Sequence, residues 1–170
     1  MRKQVFCILS FFFLVLSHLS AQIKTRDSRE DISINGIKFG YIYSIDQFKK
    51  ALGEPNRIDT WDATDYGKGH ELIYGNDLTV RFNDDARDLQ PGIICFILNT
   101  DKYTLDIKGT KLKVGDSVEK VKTIKGYTKL EWRWDDYYVV LFNNHMTDES
   151  VMVQVKDGII TQINIEDRYY

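Results

Sequence analysis

Slid along itself, the chain matches itself in three successive blocks, and an internal repeat restricts the available folds more than any single motif does. At a shift of 73, residues 34–53 (INGIKFGYIYSIDQFKKALG) fall on 107–126 (IKGTKLKVGDSVEKVKTIKG). Ile34/Ile107, Gly36/Gly109, Lys38/Lys111, Ser44/Ser117, Lys49/Lys122 and Gly53/Gly126 are then identical, where average composition gives roughly one match by chance. A shift of 60 lays 71–83 on 131–143 with Glu71/Glu131, Val80/Val140, Phe82/Phe142 and Asn83/Asn143 identical, and a shift of 67 lays Ile93, Phe96 and Leu98 on Ile160, Ile163 and Ile165. On this reading repeat 1 spans 32–102 and repeat 2 spans 103–170, and repeat 2 lacks thirteen residues that repeat 1 carries in a loop between Pro55 and His70.

Each repeat carries one short helix. Ser44 with Gln47 three residues later is a capping box, Ile45, Phe48, Ala51 and Leu52 form an apolar face, and Gly53 and Pro55 stop the helix. In repeat 2, Asp116 or Ser117 caps, Val118, Val121 and Ile124 form the face, and Gly126 ends it. Strands follow each helix: Leu72 to Tyr74 and Leu78 to Phe82 around Gly75-Asn76-Asp77, then Trp132 to Trp134 and Tyr137 to Phe142 around Asp135-Asp136. Asp157-Gly158 is a hairpin signal between Val151–Val155 and Ile159–Ile165, and Asn35-Gly36 and Lys108-Gly109 read as tight turns between short extended pieces. The expected fold class is α+β: two tandem repeats, each a short helix packed on one face of an antiparallel meander.

Residues 1–21 read as an export signal: basic Arg2 and Lys3, an apolar run from Val5 to Leu16, then Ser20-Ala21 before Gln22. The run is shorter than the roughly 20 residues that a membrane span needs, and Cys7 lies inside it rather than after it, which argues against lipidation. Residues 22–31 form a short linker. Without the signal the 23 basic side chains fall to 21 against an unchanged 25 acidic ones, so the net charge moves from −2 to −4. A mildly acidic chain with mixed signs lacks the concentrated basic face that nucleic acid or an anionic membrane requires. Cys95 then stands alone, so no disulfide joins the two repeats, and its apolar surroundings (IICFIL) point to a buried, inert thiol.

A tandem pair of helix-plus-meander units, exported, with a helix opening at Gly115-Asp116-Ser117 and with Ala51-Leu52-Gly53-Glu54-Pro55 closing the first, resembles the β-lactamase-inhibitor-protein-like superfamily, which includes small outer-membrane-assembly lipoproteins. The resemblance spans about residues 32–166. It implies binding to other proteins through an open sheet face and loops, without cofactors.

No nucleophile elbow, phosphate-cradling glycine loop or cysteine-histidine pair occurs. His70-Glu71, and His145 with Asp148 and Glu149, supply zinc-type ligands, but neither His has a second His at metal spacing, so both read as solvated loop residues. Asp62, Asp65 and Glu71 miss the spacing of a calcium loop, and Asn83, Asp84, Asp85 and Asp88 read as a turn. No metal or other cofactor is therefore expected. Trp132 and Trp134 are assigned to the helix-covered core, with Leu78, Val80, Phe82, Tyr138, Val140, Phe142, Val153, Ile163 and Ile165. The other face then receives Ile73, Arg81, Cys95, Ile97, Arg133, Val139, Leu141, Met152 and Gln154, which is apolar for a face left to water.

The loop Asp59 to His70 adds Trp61 and Tyr66, aromatics of the kind that concentrate binding energy; Trp61 reads equally well as a plug on the core. The candidate partner-binding residues are Trp61, Tyr66, Arg81, Ile97, Arg133, Val139, Leu141 and Met152. The expectation is an exported, non-enzymatic module that binds or inhibits another envelope or secreted protein, with no catalytic residue and an open oligomeric state. The alternatives are a metal- or carboxylate-dependent hydrolase of envelope polymers and an assembly factor of the envelope.

Overall fold

The computed structural model describes residues 32–39, 41, 43–62, 68–83, 93–134, 137–142 and 149–167. Residues 1–31, read above as signal and linker, lie outside them, as do Asp65, Tyr66, Asp84, Asp85, Asp88, His145 and Asp148.

Three dipeptides set the tight turns. Asn35-Gly36, Lys108-Gly109 and Asp157-Gly158 have positive φ at both positions (48° and 84°, 52° and 86°, 53° and 77°), the backbone of a type I′ turn whose twist matches that of paired strands. The first closes β1 (Ile32–Ile34) onto β2 (Ile37–Lys38), and the second closes β7 (Leu105–Ile107) onto β8 (Thr110–Leu112). The third joins β11 (Glu149–Lys156) to β12 (Ile159–Asp167). Lys108 is the strained member, since it lacks the short polar side chain with which Asn35 and Asp157 tolerate this region; Asp106 Oδ1 steadies the turn by accepting from the Gly109 N–H at 2.8 Å.

Helix α1 (Ile45–Leu52) opens on the expected capping box: the Ser44 hydroxyl accepts from the Gln47 N–H, and Gln47 Oε1 accepts from the Ser44 N–H at 2.8 Å. It ends where Gly53, at φ 91°, donates its N–H to the Lys49 carbonyl. The counterpart after Ser117 is a 3₁₀ helix, Val118–Thr123, rather than an α-helix. Its apolar residues Val118, Val121 and Ile124 recur every third position, which aligns them on a three-residue turn, and its start is tied to the turn before β12 by Val118 N–H to the Gly158 carbonyl at 2.9 Å.

After α1 come β3 (Arg57–Asp62), β4 (Lys68–Tyr74), β5 (Leu78–Asn83) and β6 (Ile93–Leu98); after the 3₁₀ helix come β9 (Tyr127–Trp134) and β10 (Tyr137–Phe142), then β11 and β12. The segment from Asp59 to His70, expected to be a loop, is thus mostly a hairpin. β3 escaped the sequence reading because it is an edge strand, with Ile58, Thr60 and Trp61 set among charges. The shift-60 block is also corrected: residues 71–83 lie on β4 and β5, second and third from an edge, whereas 131–143 begin on the opposite edge strand, β9. Counting β3, each half has four strands after its helix among the described residues.

The fold is α+β, dominated by antiparallel sheet. Among the described residues one sheet runs β2-β1-β7-β8 and the other β3-β4-β5-β6-β12-β11-β10-β9. Residues 32–98 and 105–167 supply elements in the same order, and each sheet is joined at its middle by one strand from either half. The large-sheet seam runs Leu98↔Ile163, Ile97↔Asn164, Phe96↔Ile165 and Cys95↔Glu166; the small-sheet seam runs Ile32↔Ile107, Ser33↔Asp106 and Ile34↔Leu105.

One face of the large sheet carries the core. Leu72, Val80, Phe96, Ile165, Val151 and Val140 stand in register across six strands and are all buried. Phe48 of α1 stacks on Phe82 with ring centroids 4.4 Å apart, and Phe39 meets Phe96 edge-on at 5.6 Å. The Tyr74 hydroxyl is buried there without a hydrogen-bond partner among the described residues, and burial, with Tyr103 and Glu54 nearby, holds its pKa far above the usual range. Phe82→Ala should therefore cost about 3–5 kcal/mol of stability, whereas Tyr74→Phe should leave stability unchanged or raised because it deletes an unpaired polar group. Denaturant titration of the two variants checks both.

Candidate binding face

Alternation along the strands of the large sheet sends every second side chain away from the core. The registers line these up: Arg57, Ile73, Thr79, Ile97, Asn164, Met152, Val139 and Glu131 follow one another across all eight strands. The row is charged only at its two ends, and most of its middle is half-buried. The next row begins Asp59, Glu71, Arg81, Cys95, Glu166. Arg81 donates from Nε to Glu71 Oε1 at 2.6 Å, and this bond is the main cause that raises its pKa. On the other side of the middle row, the Tyr137 hydroxyl donates to Gln162 Oε1, and Gln162 Nε2 donates to Asn99 Oδ1 at 2.7 Å.

The candidate residues divide on this map. Arg81, Ile97 and Met152 lie on the open face as expected, exposed or half-buried. Val139 shares the face but is only 1% exposed, which removes it from the contact residues. It is short and β-branched between the longer Met152 and Glu131. Leu141 pairs with Lys129 in β10, and Arg133 is skipped in the register between Trp132 and Trp134, at a bulge; the side chains of Arg133, Trp134 and Leu141 lie outside the described residues, as does Tyr66 entirely. Trp61 is 40% exposed, and its ring lies over Gly69, where a Cβ would collide with the indole. It is brought to one edge of the open face, two residues along β3 from Asp59.

Two further readings are corrected. His70 is not a solvated loop residue: it sits on β4, is 6% exposed, stacks 5.1 Å from Phe82 and has Nδ1 3.0 Å from Thr60 Oγ1. Once β3 is a strand, His70 faces the core beside Phe82 instead of water. Trp132 is not in the core: it is 61% exposed, on β9, the last strand of the large sheet among the described residues. Asn83, expected in a turn, ends β5 and is buried.

Sequence reasoning passed over Thr79, Tyr137, Gln162 and Asn164, which give the face its neutral polar character. Their signal was present in β12, where Gln162, Asn164 and Glu166 alternate with buried Ile163 and Ile165.

Among the described residues no group of three or more His, Cys, Asp or Glu side chains is placed to hold a metal ion, and no helix is long and apolar enough to cross a membrane. A polar cleft of about 380 Å³ opens on the small sheet between Ser33, Asn35, Gly36, Thr104, Asp106 and Lys111. No family model matches the chain, and no curated protein or solved structure matches it.

Cys95 is the one thiol of the face among the described residues. It is buried, it donates to Asn164 Oδ1 at 3.3 Å, and burial, more than the neighbouring Glu166, pushes its pKa up to about 12. It stays a neutral thiol at physiological pH and is chemically quiet. Because the folded pKa lies above the unfolded one, the thiol's contribution to stability is complete below about pH 8.5 and declines as pH rises towards the folded value. Cys95 should resist alkylation at pH 8 in the native protein and react at the rate of a free thiol in denaturant; native-state labelling followed by mass spectrometry measures the ratio.

Proposed function

We propose that the chain is an exported, non-enzymatic protein-binding module of the cell envelope that engages its partner through the open face of the large sheet. The observation that carries the reading is the row from Arg57 to Glu131, neutral through its middle and charged at both ends. A desolvated centre of neutral and apolar side chains inside a charged rim is the general anatomy of a protein interface. The signal-like residues 1–21 support export.

The module is an internal duplication in this proposal, with repeats at 32–102 and 103–170. Ile97 and Asn164 are 67 residues apart and Ser33 and Asp106 are 73 apart, two of the three shifts at which the sequence matches itself. Ile97↔Asn164 and Ser33↔Asp106 then lie where a twofold axis relating the halves would cross the sheets, and the pairs on either side of each exchange under the same shifts. This arrangement also supports the resemblance to the β-lactamase-inhibitor-protein-like superfamily, whose members bind proteins through an open sheet.

A photo-crosslinking residue placed at Thr79 or Met152, on the open face, should give one discrete protein adduct in producing cells. The same residue at Lys50, exposed on α1 on the other side of the sheet, should give none. No adduct from the open face, or the same adducts from all three positions, would overturn the proposal.

A further inference from the structure

The polar cleft lies on the small sheet, over the seam where β1 meets β7. Lys38, Ser33, Asp106 and Lys111 follow one another in register across all four strands of this sheet, on the face opposite the buried Ile32, Ile34, Leu105 and Ile107. Ser33 stands to the turn Asn35-Gly36 as Asp106 stands to the turn Lys108-Gly109, since each pairs with the lysine beyond its own type I′ turn. At the second turn Asp106 Oδ1 accepts from the Gly109 N–H at 2.8 Å. The first turn presents the same backbone N–H, at Gly36, beside a serine that has no carboxylate to offer. Among the described residues neither the Gly36 N–H nor the Ser33 hydroxyl has a hydrogen-bond partner, and both residues line the cleft.

The charges of the cleft are likewise uncommitted. Asp106 and Lys111 are opposite each other on β7 and β8, yet among the described residues neither forms an ion pair. Asp106 has spent one oxygen on the Gly109 N–H and keeps the other. Thr104 and Asn35 add a hydroxyl and an amide to the same lining.

We propose that this cleft binds a free α-amino acid. The ligand's carboxylate accepts from the Gly36 N–H and the Ser33 hydroxyl, reproducing at the first turn the carboxylate–glycine bond that the chain makes within itself at the second. Its ammonium donates to the remaining oxygen of Asp106, and Lys111 offsets the negative charge that the carboxylate brings. A simple carboxylate is repelled by Asp106 and a simple amine by Lys111, whereas an uncharged solute leaves both ions unanswered; a zwitterion matches the two together. At about 380 Å³ the cleft falls in the size range of small-molecule sites. It belongs to the small sheet, so the proposal stands independently of the protein-binding face on the large one.

Calorimetric titration of the protein produced from its full-length coding sequence, with each common α-amino acid in turn, tests the proposal. At least one should bind at millimolar concentration or below, and the amine and the acid made by removing its carboxylate or its amino group should each bind about tenfold more weakly or not at all. Lys111→Gln removes the cation, and Asp106→Asn removes the anion while keeping an acceptor for the Gly109 N–H. Each should weaken binding by about tenfold, with circular dichroism unchanged. Lys38→Gln, on the same row but outside the cleft, should leave binding as it was. No binding by any amino acid, equal binding of the amine or the acid, binding that survives Lys111→Gln, or an equal loss with Lys38→Gln would each overturn the proposal.

Discussion

The pairing of β6 with β12 is the contact on which the rest of the structure depends. Each half of the chain ends its meander on one of these strands, and without the other half that strand would be a bare edge. Their contact sets Phe96 against Ile165 and Leu98 against Ile163, all four fully buried. The small sheet repeats the arrangement one layer away, where β1 meets β7 with Ile34 against Leu105 and Ile32 against Ile107. Fastened at both layers, the core under α1 and the 3₁₀ helix is one cluster running from Ile32 to Ile165. Each seam joins residues far apart in the chain, Ile97 with Asn164 and Ser33 with Asp106, so each needs a large loop closure before its burial can stabilise the fold.

Legibility in the sequence follows the range of the cause. The cap at Ser44 and Gln47, and the turns at Asn35-Gly36 and Asp157-Gly158, rest on chemistry within four residues, and they stand where the pattern put them. β3 was hidden because an edge strand needs no apolar alternation; its only cue was the weak order Ile58, Thr60 against Arg57, Asp59. His70 was misplaced for the same reason, since its burial depends on a strand that the pattern did not reveal. The period-three run Val118, Val121, Ile124 was legible as a helix, whereas the bonds that hold its start, Gly115 and Asp116 to Ile160 and Val118 to Gly158, come from residues some forty positions further on.

The open face was legible as a set of alternate positions, and Arg81, Ile97 and Met152 were placed on it from the sequence alone. Its character was not. Whether an alternate position is accessible depends on cross-strand neighbours brought from far along the chain, which is why Val139 and Cys95 are buried on a face otherwise open. Trp132 errs in the opposite direction: a residue at a core-facing position is exposed on the last strand of the sheet among the described residues. Burial at a sheet position is thus set jointly by alternation, which is local, and by strand order, which is not.

The central claim is that two halves, each incomplete alone, form one cooperative sheet through the β6–β12 seam. Native-state hydrogen exchange, resolved by residue, tests it most directly. The account predicts that the amides of β6 and β12 are the slowest in the protein and open together with the same free energy, that of global unfolding. Protection in residues 105–167 that differs from that in 32–98 by more than about 1.4 kcal/mol, a tenfold difference in opening, with β6 and β12 exchanging independently, would contradict it.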